Sequence, residues 1–191
     1  MANVSAPQGF KPVGSAYGAP YSGATQRVYI PTTSTTTDIF VGDVVKTSGT
    51  ASTAGYPAVL VVAATTDVPM GVITSFEANP TDLGVQYHKK GTAQFAQVAL
   101  CENSLFEIET NAVMELADVG MNIDYALTAG STVTGYSAYA AVGGNVTTAT
   151  TDVLQIVAFV DREDNDPTLT NAKLIVKFND ASGHPDRLGV S

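Results

Sequence analysis

Tryptophan is absent from this 191-residue chain, and cysteine occurs once, as Cys101. A single thiol rules out an intramolecular disulfide, so no covalent staple holds the fold. The lack of Trp argues against a carbohydrate-binding surface, since sugars stack on aromatic faces. Positive charge is scarce: nine Lys and Arg stand against eighteen Asp and Glu, a net charge of −9. The basic residues are scattered, and Lys89–Lys90 is their closest pair. Nucleic acids and anionic membranes are held by clustered cations. We therefore expect neither as a partner. The longest apolar stretch, Tyr56 to Ala64, is far short of the roughly 20 residues of a membrane helix. The first residues have neither the basic start nor the apolar run of a secretory signal. Together these absences predict synthesis in a reducing cytoplasm.

Charged residues make up 14% of the chain, against an ordinary value of about 25%. Thr, Ser, Ala and Gly fill the difference. That composition suits β-structure with many short turns, or a surface that other protein covers.

The side chains of catalysis are few. His88 and His184 are the two histidines, and no metal-binding spacing of His or Cys occurs. A Cys101–His88 dyad stands open as a nucleophilic pair. Cys101 follows Val98-Ala99-Leu100, however, and a small buried thiol is the commoner fate in such a run. Glu107 and Glu109 sit two apart on one strand face, about 6.5–7 Å from each other by strand rise. That spacing falls between those of the two glycosidase classes, yet it equally describes a solvated strand face. Residues 161–166, four of them acidic, could offer oxygens to Ca²⁺. The spacing is not that of an EF-hand, and a hydrophilic turn between two core strands is the reading we take. No cofactor is expected.

Residues 1–26 are rich in Gly, Pro, Ala and Ser and show neither the helical nor the strand period. They carry Phe10, Tyr17 and Tyr21 among small residues. Two readings stand side by side: a disordered tail, or an extended arm whose aromatics anchor it on a partner. From Arg27 the period of two takes over. Val28 and Ile30 share a face, and so do Phe106 and Ile108. Ala172, Leu174, Val176 and Phe178 are expected inside, with Lys173 and Lys177 outside. Ala58 to Ala63 and Val153 to Val160 are apolar on both faces and should be covered on both. Asn111 to Val119 is the one candidate helix, with Val113, Leu116 and Ala117 as its buried stripe and Gly120 as its cap. The pattern predicts an all-β protein, a single β-barrel or β-sandwich of jelly-roll or tulip-like form over residues 27–180. The extended arm (1–26) precedes it, and a loose tail (181–191) follows.

The order of these segments carries a resemblance. Asp38 to Val45, Gly71 to Phe76, Val98 to Ile108, Ala117 to Asn122, Leu154 to Asn165 and Ala172 to Asn179 together resemble the cement or head-decoration proteins of tailed bacteriophages. The resemblance covers roughly residues 38–180. It implies a non-enzymatic β-domain on the outside of a capsid, bound to the major capsid protein and to copies of itself. A trimer is favoured over a dimer, by that analogy. It implies no catalytic residue. Tail or fibre components, surface adhesins and hydrolases are the rival classes.

Overall fold

The computed structural model describes residues 3–32, 37–79, 82–148 and 152–179. The tail expected over 181–191 and the centre of the Thr32–Thr37 run lie outside them. The strands are β1 Lys11–Ser15, β2 Gln26–Ile30, β3 Val44–Ala51, β4 Pro57–Val61, β5 Gly71–Phe76, β6 Gln94–Leu100 and β7 Ser104–Glu109. They continue as β8 Asn122–Ile123, β9 Tyr125–Ala126, β10 Ala140–Ala141, β11 Leu154–Phe159 and β12 Lys173–Phe178. The protein is all-β.

Two assemblies hold ten of these strands, and β9 pairs with β10 as a separate two-stranded sheet. A closed barrel runs β2-β4-β3-β5-β6, and an open sheet runs β1-β7-β12-β11-β8. Every barrel pairing is antiparallel except that of β2 with β4, where Tyr29 faces Ala58. Alternation explains how the two assemblies pack. Neighbouring residues of one strand point to opposite faces. Val45 and Ile73 therefore fill the barrel, while Val44 and Val72 point out of it into the core against the sheet. Val98 and Ala99 divide in the same way. Val44-Val45, Val72-Ile73 and Val98-Ala99 are therefore buried on both faces of their strands, in two different cores.

On the sheet, Leu174, Val176 and Phe178 are buried and Lys173 and Lys177 lie on the other face, as the period of two predicts. β11 departs from expectation. Leu154 and Ile156 are buried, but Val157 is 38% exposed. A bulge between Ile156 and Ala158 turns Val157 outward, and β8 pairs only with Leu154 and Gln155.

The expected helix is absent. Residues 111–119 form only a three-residue 3-10 turn, Leu116–Asp118. The Asp118 carboxylate accepts the Glu115 amide at 2.8 Å and holds that turn. Nine residues with no packed stripe cannot offset the cost of nucleating a helix. Met114 is the buried residue there, and Val113 and Leu116 face out.

Residues 3–26 fold with the rest rather than as an arm. β1 is an edge strand of the sheet, with Lys11 opposite Glu107 and Ser15 opposite Ser104. The chain then turns back through Tyr17, so that Gly14 bridges Pro20. Backbones approach closely where this segment meets the barrel. The Phe10 amide donates to the Gly42 carbonyl at 3.0 Å. Gly42 has φ +95°, and a Cβ there would lie 2.1 Å from the Gln8 carbonyl oxygen. Only glycine fits that contact.

Candidate functional site

The sequence-derived candidates fall in separate places. Cys101 belongs to the core between barrel and sheet, and burial pushes its thiol up, away from the nucleophilic thiolate. His88 is fully buried beside Phe76, whose strand partner is Ala96. Cys101 lies five residues further along that strand, on the order of 16 Å by strand rise. The dyad is not formed. The His88 ring bonds the Thr92 carbonyl at 2.9 Å. A carbonyl only accepts, so Nε2 carries the hydrogen. Burial pushes this imidazole down, which keeps it neutral.

Glu107 and Glu109 do share a face, but that face is covered. Glu109 is 5% exposed. It is ion-paired with Lys173, and it accepts the Ala6 amide at 3.0 Å and the Ser5 hydroxyl at 3.1 Å. Glu107 pairs with Arg162 at 3.0 Å. Residues 6–11 overlie this face and leave a small cleft of about 240 Å³. Each glutamate is ion-paired with a cation of its own. The 161–166 segment is a connection pinned by Asn165. Its side chain bonds the Val160 carbonyl and both backbone groups of Lys173. Asp161, Glu163 and Asp164 are exposed. Among the described residues, no three His, Cys, Asp or Glu side chains gather as a metal site.

The three aromatics of the N-terminal segment have three fates. Phe10 is 2% exposed and meets the rings of Phe106, Tyr125 and Phe178 at 5.1–6.1 Å. It anchors this chain to itself, which corrects its expected role as a contact to a partner. Tyr21 packs partly against the same core. Tyr17 alone projects, at 84% exposed, from the turn after β1.

Two features were not legible in the sequence. The first is an exposed apolar ridge. Val113, Leu116 and Val119 are 51%, 64% and 44% exposed within seven residues. Leu116 opens the 3-10 turn, and Val119 follows it in extended backbone. The second is a cleft of about 840 Å³ between β3–β4 and the 127–139 loop. Asp43 lines it, 3% exposed. Its Oδ2 accepts the Phe40 amide at 2.8 Å. Burial pushes the Asp43 carboxyl up to about 6, against the Ser137 hydroxyl and the Phe40 amide, which hold it down. The only signal in sequence was an Asp set between Val41 and Val44 after a glycine.

Asp43 sets a pH dependence. Its carboxyl titrates near 6 when folded and near 3.8 ordinarily. Between these values the folded protein holds more protons than the unfolded chain, so stability falls as pH rises. The contribution is complete below about pH 4 and gone above about pH 6, a loss of about 3 kcal/mol. Urea denaturation of wild type and Asp43→Asn from pH 4 to 7 measures it. The substitution should flatten the profile, and an unaltered slope would refute the assignment.

Comparison of the chain with protein-family models, curated proteins and solved structures finds no match. The functional reading rests on the residues themselves.

Proposed function

We propose that this chain is a structural virion protein. It binds the outer surface of a tailed-phage capsid and stabilises it by bridging neighbouring major capsid subunits. The observation that carries this reading is the ridge of Val113, Leu116 and Val119. Three aliphatic side chains held out on one short segment fit a surface that another protein covers. The low charge and the segment order of residues 38–180 support the same reading. The projecting Tyr17 adds a second contact element, since tyrosine is enriched at interfaces. In such a shell each contact is modest, and many copies acting together multiply the effect.

The ridge gives the test. Burying one such side chain is worth about 1.5–3 kcal/mol, and about 1.4 kcal/mol is a tenfold change in affinity. Leu116→Asp with Val119→Asp should therefore lower occupancy on capsids more than tenfold. Stability should stay within about 0.5 kcal/mol, because both positions are on the surface. Sedimentation of capsids mixed with each protein reads the occupancy. Unchanged occupancy removes the ridge from the mechanism. A copy number of a few per particle, rather than hundreds, would move the protein to the tail.

A further inference from the structure

We propose that the cleft between β3–β4 and the 127–139 loop receives the 113–119 ridge of a second copy of this chain, so that copies assemble head to tail. One molecule carries both halves of this contact, and they lie on different assemblies. The ridge leads into the sheet edge, where the Gly120 amide donates to the Ile156 carbonyl of β11 at 2.9 Å. The cleft opens on the barrel strands β3 and β4. Its volume of about 840 Å³ is that of a pocket for a drug-sized ligand, so it has room for several side chains of one short segment. Leu60 and Leu127 line it and stay accessible, while Phe40, Val62 and Tyr139 line it and are buried. Val113, Leu116 and Val119 are the exposed aliphatic side chains that can enter, and burying apolar surface on both halves drives the contact.

Charge decides which surface meets which. The lining holds two lysines and two aspartates, so the cleft has no net charge to draw an ion. Asp43 is buried, Lys46 is bonded to Asp67 at 2.7 Å, and Asp38 accepts the Lys90 amide at 2.9 Å. Lys90 itself is exposed and, among the described residues, makes no ion pair. Glu115 stands on the ridge between Val113 and Leu116 in the same condition. An acidic residue on the ridge and a basic one at the cleft complement each other. Two ridges do not, since they would bring Glu115 against Glu115. The net charge of −9 on each copy opposes association, so apolar burial has to carry it and the charges set its register. A contact between unlike surfaces closes into a ring when the rotation allows, and otherwise runs on as a filament. That this assembly serves a capsid rests on the structural reading above, and the contact between copies does not. On a shell, linked copies bind together, so loss of the ridge lowers occupancy through lost avidity.

The test uses the full chain in solution with no capsid present. Sedimentation velocity should show the wild type associating at micromolar to submillimolar concentration. Leu116→Asp with Val119→Asp breaks the ridge, Leu127→Asp breaks the cleft, and each should weaken association at least tenfold. Mixed, these two variants should pair one to one, because one keeps a cleft and the other a ridge. Glu115→Lys alone should weaken association about threefold, the scale of an exposed ion pair, and Lys90→Glu beside it should restore the loss. Urea denaturation shows that each variant is folded, and Thr132→Arg on the cleft lining replaces Leu127→Asp if that one is not. A monomeric wild type, variants that associate as it does, or a mixture that stays monomeric overturns the inference. A charge swap that restores nothing overturns the pairing of Glu115 with Lys90. A wild type that assembles in solution but ignores capsids removes the structural reading and leaves the contact standing. A wild type that occupies capsids but stays monomeric in solution overturns the contact and leaves that reading standing.

Discussion

Phe10→Ala should destabilise the protein by about 3–5 kcal/mol, the range for removing a buried phenylalanine. Three aromatic rings, those of Phe106, Tyr125 and Phe178, surround the one that would be lost. They come from two strands of the sheet and from β9. The cavity would open where the N-terminal segment, barrel and sheet meet, and the Gly42 contact beside it leaves little room for collapse. Small domains are stable by about 5–15 kcal/mol in total. Phe10→Ala therefore lies near the limit of folding. Tyr17→Ala, six residues on from β1's first residue, should change stability by less than about 0.5 kcal/mol. Urea denaturation of both variants checks the contrast. Equal, small effects would mean that Phe10 is not part of the core.

Glu109→Ala should cost about 3–5 kcal/mol, because it leaves Lys173 without its partner under cover. The Lys173 side chain is 18% exposed, and Glu109 is its ion pair. The Ala6 amide and the Ser5 hydroxyl lose their acceptor too. Glu109→Gln keeps the hydrogen-bonding shape and should cost less. Glu109→Gln with Lys173→Met should recover most of the loss, since removing both charges removes the unpaired one. Glu107→Ala is the internal control. Its partner Arg162 is 42% exposed, and such pairs contribute about 0–1 kcal/mol. Thermal or urea unfolding of these four variants and of Lys173→Met alone gives the cycle. A Glu109→Ala protein as stable as Glu107→Ala would show that the covering segment contributes nothing there.

The strand pattern was readable because its cause is local. A period of two follows from the geometry of one strand, so the faces of β2, β7 and β12 followed directly from the residues. What the sequence could not carry was the partner of each face. Val44-Val45 and Val72-Ile73 are each divided between two separate cores, which nothing in the sequence marked. Glu109 reads as solvated until Ser5 and Ala6, a hundred residues earlier, are laid over it. Phe10 reads as an anchor for something, and the pocket that takes it is built by residues up to Phe178. The 113–119 ridge was missed for the opposite reason: its spacing imitates a helical stripe, while nine residues are too few to form one. The Asp43 cleft depends on a loop more than eighty residues away in sequence, which no local period reveals.

The sheet's strand order fixes when the molecule can be finished. β1 is translated first and β12 last, yet both lie against β7. At roughly 5–20 residues per second, Phe10 waits about 8–30 seconds for Phe178 to be made. The barrel strands, residues 26–100, all emerge after β1 but before β7 and β12, the strands that complete its side of the sheet. A nascent chain therefore holds an apolar opening in its half-built sheet until β12 has emerged and closes it.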